Sequence, residues 1–429
     1  MKLKKAAGKL PIAHGYVAQK KLKEVVRLQN DELIGLRQSV KRLEDRNDEW
    51  AAEVSELRGD GKKLEILWPV CPDDLIKATY WEKQIQPTVT RHKPPFTINW
   101  VIPPVGSISG GHAVIFRLVQ FLESQGHICR LYVYDPMHVA TVAEVKNNIK
   151  NHVKIKAELF YNEAAMKPCD AMFATGWTTA YPVYNYSGVA KKFYLLQDYE
   201  PMFEVSGTYS AITENTYKLG LHGIATSLYT ADRTVREFGM QCDTIGLGIN
   251  PKEYHLDNEG LRKKIIFYAR PVTPRRGFEL GILSLQLFHE KHPEYEINFI
   301  GWDTERYDIP FPYVNNKILS TEQLNELYNQ SAACLALSFT SMSLLPIELM
   351  ASGCIAVVND APFTRMVAYP EHVAYTEPAP QAIANTLTEI VENPAAQDRA
   401  KEAAAYATKF GWSQYNDQLE QVLIRELAS

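Results

Sequence analysis

The sequence predicts an α/β protein in which two parallel-sheet domains follow an N-terminal coiled-coil helix. Three observations carry that prediction. From Phe96 onward, short apolar runs that read as buried strands alternate with amphipathic helical stretches, the pattern of repeated βαβ units. The glycine-bearing break Ile245-Gly246-Leu247-Gly248-Ile249-Asn250-Pro251 divides those units into two sets, and its two glycines and Pro251 suit a mobile boundary, a hinge between them. Near the start, Leu22, Val26, Gln29, Leu33, Leu36, Val40, Leu43, Asn47, Trp50, Val54 and Leu57 alternate steps of four and three, a heptad sustained over about five repeats.

The heptad segment comes first. Charged residues fill most of its other positions, Asn47 occupies a seam position of the kind that fixes register, and Gly59-Asp60-Gly61 closes it. A helix of this length spans roughly 50 Å. The narrow stripe predicts a homo-oligomer or a coiled-coil partner protein; the alternative is one long helix lying on its own globular part, which usually needs a broader apolar face. Lys62 to Pro95 is mixed and punctuated by Pro69, Pro72 and Pro94-Pro95.

The first α/β set opens with a strand over 96–102. A loop rich in glycine and serine follows, then a helix from His112 to Gln125 and a strand over 128–134. Gly110 and Gly111 precede His112 and leave backbone N–H groups uncovered at a helix start, where a ligand can approach closely. Strands over 170–175, 192–196 and 221–227 follow. The carboxyl ends of strands rim the ligand crevice of an open α/β sheet, so the turns Gly176-Trp177 and Gln197-Asp198-Tyr199-Glu200-Pro201 are candidate site segments. Asp198 or Glu200 has the chemistry to accept a hydroxyl proton and Gln197 to bind a hydroxyl; a turn carboxylate equally often caps a helix or is solvated.

In the second set, the strand over 264–269 runs into Arg270-Pro271-Val272-Thr273-Pro274-Arg275-Arg276-Gly277. A helix from Phe278 to His289 is expected next, then strands at Tyr295–Ile300 and Lys317–Leu319 and a helix from Ser320 to Asn329. The strand Cys334-Leu335-Ala336-Leu337 ends in the polar turn Ser338-Phe339-Thr340-Ser341-Met342-Ser343, and a short helix carrying Glu348 follows that Gly353 can end. Such a junction aims free N–H groups and the positive end of a helix dipole at whatever stands before it, which suits a diphosphate. An ordinary strand-helix-strand unit would look the same in isolation.

The spacing Arg270-x5-Arg276-Gly277, followed some seventy residues later by a polar turn with Pro346-x-Glu348, resembles the donor domain of the GT-B glycosyltransferases, in particular glycosyltransferase family 4. The resemblance covers Thr97 to Ala428, about three quarters of the chain, and implies the GT-B fold: two Rossmann-like domains facing across a cleft. It implies that Arg270 and Arg276 hold the diphosphate of a nucleotide sugar, with Arg276 replacing the more usual lysine, and that Glu348 accepts hydrogen bonds from the nucleotide's ribose. Thr340 stands where the family has its first acid, and Ser343, Leu344 and Leu345 complete the donor turn. Gly110, Gly111 and His112 stand at the family's glycine loop, and Lys317 beside the strand whose backbone receives the nucleobase. Where members carry a cleft histidine this chain has Gln197-Asp198.

Gln-Asp-Tyr-Glu-Pro also resembles rhamnosyltransferases of bacterial surface-polysaccharide assembly, which implies dTDP-β-L-rhamnose as donor and a surface glycan as acceptor. The implied activity is that of a retaining hexosyltransferase. No Asp-x-Asp occurs, so the expectation is no metal and no cofactor besides the donor. The implied division is a helical extension over 1–61, an acceptor-side domain over 62–250, a nucleotide-sugar domain over 251–410, and a helix over 411–429 crossing back to the first domain.

Composition narrows the alternatives. A formal charge of -4 over 429 residues gives no nucleic-acid footprint. The six cysteines have no metal-ligand or redox spacing and read as free thiols in a reducing compartment. No apolar run is long enough to span a bilayer and no signal-peptide core follows Met1, so the expected location is cytoplasmic. The basic start (Lys2, Lys4, Lys5, Lys9) suits either solvent or peripheral contact with anionic lipid at the inner face of the plasma membrane. A dinucleotide-binding oxidoreductase is disfavoured because no Gly-x-Gly-x-x-Gly opens a helix. His289-x-x-His292 lacks a zinc context. The remaining rival is a non-catalytic coiled-coil scaffold that retains a nucleotide-sugar fold.

Overall fold

The computed structural model describes residues 66, 68–79, 93–106, 110–152, 154–161, 165–258, 260–342, 344–366 and 370–428. The heptad segment, and with it the coiled coil expected over 1–61, lies outside the described residues.

Among the described residues the chain builds two parallel sheets in succession. The first holds β1 (Thr97–Ile102), β2 (Ile128–Val133), β3 (Glu158–Tyr161), β4 (Ala171–Ala174), β5 (Lys191–Leu196), β6 (His222–Ala225) and β7 (Cys242–Thr244). Its order is β3-β2-β1-β4-β5-β6-β7. The second holds β8 (Lys264–Tyr268), β9 (Glu296–Ile300), β10 (Val314–Asn315), β11 (Ser331–Leu335), β12 (Ile355–Asn359) and β13 (Ala374–Thr376). It repeats the same plan, β10-β9-β8-β11-β12-β13. Each sheet changes direction once, between β1 and β4 and between β8 and β11. The loops leaving the two strands on either side of that point diverge, and the crevice between them is where an open sheet receives its ligand.

Strand alternation gives each sheet two buried faces. In β1, Ile98, Trp100 and Ile102 enter one core and Val101 the other; in β8, Ile265 and Phe267 enter one and Ile266 the other. Trp100, Phe173 and Phe193 stack at 4.3 and 4.9 Å across adjacent strands, and each fully buried ring of this kind contributes roughly 1.5–3 kcal/mol. The six cysteines are free thiols, four of them buried. No helix among the described residues is long and apolar enough to cross a membrane.

Two departures from expectation have physical reasons. The strand expected over Lys317–Leu319 lies earlier, at Val314–Asn315, and pairs with β9; Lys317 itself has φ +55° and sits in the following loop. Its β-branched neighbour Ile318 suggested a strand, but Ile318 is exposed and buries nothing that would hold one in the sheet. Gly246 and Gly248, expected to serve a mobile boundary, instead serve close packing. A Cβ at Gly246 would stand 2.0 Å from the Tyr415 ring, and one at Gly248 2.7 Å from the backbone nitrogen of Trp412. Ile249 N–H donates to the Phe410 carbonyl at 2.8 Å between them. The final helix, Trp412–Ala428, then buries Leu419, Val422, Leu423 and Leu427 in the core of the first lobe.

Candidate active site

The site is built where the loops at the switch point of the second sheet meet the turn that follows β5 of the first. In the C-terminal lobe the chain leaves β8 through Arg270, makes a one-turn 3₁₀ helix at Pro274–Arg276 and reverses at Gly277, φ +59°, a conformation that favours glycine. A Cβ there would also press on Leu337 and Phe339 at 3.0 Å. Relief from that contact lets the two loops touch, and Phe339 N–H donates to the Arg275 carbonyl at 2.9 Å. The turn after β11 is wound around Ser338. Its N–H donates to Asn359 Oδ1 at 2.8 Å, and its hydroxyl reaches the Thr340 and Ser341 carbonyls at 3.3 and 3.2 Å.

Three guanidiniums gather on this platform. Arg276 Nη1 donates to Ser338 Oγ at 3.0 Å and lies over the Tyr268 ring at 5.8 Å. Arg270 Nη1 makes a long contact to Tyr268 Oη, 3.4 Å, and lies over Trp302 at 5.8 Å. Arg275 stacks on Phe203 of the N-terminal lobe at 4.1 Å. Among the described residues none of the three forms an ion pair with a carboxylate, and the buried Nε of both Arg270 and Arg275 has no hydrogen-bond partner. Burial holds the Arg275 guanidinium below its ordinary value, Arg276 and Arg270 push it further the same way, and Asp198 is the one carboxylate that opposes them. Like charges crowded in a partly dry site are unfavourable until an anion joins them.

The N-terminal lobe contributes the turn after β5. Asp198 is buried; its Oδ2 accepts from Thr340 Oγ1 at 2.8 Å and its Oδ1 from the N–H groups of Ser341 and Tyr199 at 2.9 and 2.8 Å. Burial pushes its carboxyl above the usual range despite those donors and nearby Arg276. In this conformation both oxygens accept from protein donors, which would compete with a substrate proton for the carboxylate. Gln197 lies against the start of the helix Gly110–Ser124, its amide nitrogen 3.4 Å from where a Gly111 Cβ would stand. His112, by contrast, is buried, with Nε2 3.2 Å from the Pro103 carbonyl. Glu200 is buried and accepts from Trp177 N–H at 2.6 Å, at the start of the helix Trp177–Asn185. Burial pushes it up to about 8, against the Trp177 hydrogen bond, and adjacent Asp198 adds to the rise.

The remaining expected residues separate. Thr340 is fully buried with its hydroxyl turned to Asp198. Leu344 begins the helix Leu345–Ala351 as an N-cap that supplies no side-chain hydrogen bond, and it packs on the cores of both lobes; Leu345 is buried. Ser343 lies outside the described residues. Glu348 is partly buried and pushed up to about 7 by that burial; Arg117 opposes the shift and Glu253 reinforces it. Its charged neighbours are therefore not the three guanidiniums. Lys317 is exposed and its Nζ is engaged by Asp303 and Glu305 at 3.0 and 3.3 Å, while its carbonyl accepts from Gly301 N–H at 2.8 Å. Its charge is thus engaged within the fold, and its carbonyl already accepts one hydrogen bond.

Sequence reasoning missed Arg275 as a site cation, although it adjoins Arg276, and missed Arg117, whose Nη2 lies 3.5 Å from Glu253 Oε2. Nothing local to Arg117 could have shown this, because its partners come from the other lobe. Among the described residues one group, His222, Asp243 and Glu426, has ligand atoms within 4.8 Å of one another, suited in spacing to a metal ion. Lys191 on Glu426 at 2.6 Å and Arg425 on Asp243 at 3.2 Å already balance those carboxylates, so the cluster fastens the final helix to the first sheet.

Comparison with known proteins places this geometry. Residues 263–388 match the family described as WsaF, C-terminal domain. The chain is 30% identical over 344 residues to the O-antigen biosynthesis protein RfbC of Myxococcus xanthus, a match covering 76% of this chain and 27% of that protein. The chain thus spans about a quarter of the length of the curated relative it matches. Among solved structures it is similar to a glycosyltransferase from Rickettsia africae ESF-5, with TM-score 0.57 and 13% identity over 78% of this chain and 99% of that one. It is also similar to Anabaena Alr3699/HepE in complex with UDP-glucose, with TM-score 0.59 and 15% identity over 76% of this chain and 99% of that one. At such identities the likeness concerns the fold, and the fold is that of the GT-B glycosyltransferases.

Proposed function

We propose that this chain is a retaining, metal-independent glycosyltransferase that moves L-rhamnose from dTDP-β-L-rhamnose onto a growing bacterial surface glycan. The observation that carries this reading is the trio Arg270, Arg275 and Arg276 at the switch point of the second sheet, unpaired by carboxylates among the described residues. A glycosyl–phosphate bond breaks with its electron pair moving to phosphate oxygen, and guanidiniums fixed beforehand around that oxygen stabilise the developing charge without a divalent ion. The acceptor hydroxyl attacks the sugar carbon on the face the phosphate leaves, and its proton passes to the departing phosphate oxygen. That route asks the protein for positioning rather than for a base. Gln197 and the Gly110–Gly111 helix start border the sugar from the first lobe, and Glu348 accepts from the ribose hydroxyls.

The Myxococcus xanthus relative's part in O-antigen biosynthesis and the UDP-glucose bound by the Anabaena neighbour support the substrate class, a nucleotide sugar and a glycan acceptor. The test is donor turnover by the purified full chain with dTDP-β-L-rhamnose, UDP-glucose and GDP-mannose, with EDTA present and absent and the product anomer read by NMR. Rhamnosyl transfer with retention in EDTA is the expected result. Binding of no nucleotide sugar at all would favour the scaffold reading.

A further inference from the structure

We propose that Asp198 is a positioning residue: its carboxylate, carried by the N-terminal lobe, clasps the Thr340–Ser341 turn of the C-terminal lobe. The two partners lie 142 and 143 residues away in sequence, on the opposite side of the cleft. Thr340 Oγ1 and Ser341 N–H donate to separate oxygens at 2.8 and 2.9 Å, and Tyr199 N–H completes the set at 2.8 Å. A charge this enclosed persists only when its lone pairs are satisfied, and here two of the three donors come from the other lobe.

The same turn is held from behind by its own lobe, through Ser338 N–H on Asn359 and Phe339 N–H on the Arg275 carbonyl at 2.8 and 2.9 Å. Its conformation is therefore set jointly, and separating the lobes would leave Thr340 and Ser341 without their acceptor. The residue identities agree. With Asp198 2.8 Å from the Thr340 hydroxyl, an acid at 340 would set two carboxylates against each other, so a threonine at that position and an aspartate opposite form a matched pair. Asp198 also acts electrostatically on Arg275 and feels the charge of Arg276. The clasp and the diphosphate site are thus one structure. Its bearing on donor binding rests on the nucleotide-sugar reading; the clasp itself rests on geometry alone.

Hydrogen exchange on the full-length, nucleotide-free chain reads the clasp directly. Asp198→Ala should speed exchange of the Ser341 amide about tenfold to hundredfold, the range that one hydrogen bond to a charged acceptor supplies. Asp198→Ser gives the same reading if the alanine variant does not fold. Unchanged exchange in the folded variant overturns the proposal. In turnover, Asp198→Asn and the isosteric Thr340→Val should each raise the donor KM more than they lower kcat, keep the wild-type pH profile, and combine less than additively. A collapse of kcat in Asp198→Asn with loss of one pH limb, beside a wild-type Thr340→Val, would instead identify a general base. If the wild-type chain handles no nucleotide sugar, the functional reading fails separately, and exchange at Ser341 still decides the clasp.

Discussion

Removing the site cations should weaken nucleotide binding and leave stability nearly unchanged. In Arg276→Ala the fold loses one hydrogen bond to Ser338 Oγ, worth about 1 kcal/mol, and is relieved of repulsion between Arg276 and Arg275. For like charges in one partly buried site that relief is on the order of 1 kcal/mol, so the two terms nearly cancel. Arg270→Ala loses only a long contact to Tyr268 and gains the same relief. The nucleotide-free melting temperature of either variant should therefore stay within about 3 °C of wild type. Affinity for dTDP or UDP should fall, because each guanidinium lost from a diphosphate removes a charge-assisted interaction of roughly 1.5–3 kcal/mol, about tenfold to 150-fold in Kd. Calorimetric titration and a thermal melt of the same samples measure both. Nucleotide affinity unchanged within about threefold in the double variant, or a melting temperature lowered by some ~10 °C, would make the arginines structural and refute the reasoning.

Three further outcomes follow from the same geometry. Glu200 binds its proton up to about 8 in the fold against an ordinary value of 4.5, so its contribution to stability is complete below 4.5 and is lost as pH rises through 8. Unfolding free energies of wild type from urea melts should fall between pH 5 and 8 by up to about 1.4 kcal/mol per pH unit, and Glu200→Gln should flatten that slope; an unaltered slope counts against it. With Glu348 raised to about 7, nucleotide affinity should improve as pH passes through 7 and the carboxylate forms, a dependence that Glu348→Gln should abolish in titrations at pH 6 and 8. Gly248→Ala would place a Cβ 2.7 Å from the Trp412 nitrogen, and should destabilise the chain by about 1–3 kcal/mol in denaturant melts without altering nucleotide affinity at temperatures where it is folded.

By itself the sequence determined what is local and periodic. Apolar runs such as Lys264–Tyr268 specified strands, Ser320 with Gln323 specified a helix start that forms a capping box, and Gly353 specified a helix end with φ +68°. The Arg270-to-Gly277 spacing was legible because both arginines leave one strand end within eight residues. Tertiary structure decided everything that depends on two lobes meeting. Asp198 looks like a free turn carboxylate until Thr340 arrives from across the cleft; Gly246 and Gly248 look like a hinge until Tyr415 and Trp412 pack on them; Arg117 and Glu348 become neighbours only when the lobes close. Periodicity records which face of an element is apolar, whereas a contact between residues more than a hundred positions apart is fixed by the packing of whole sheets. No local pattern encodes that packing.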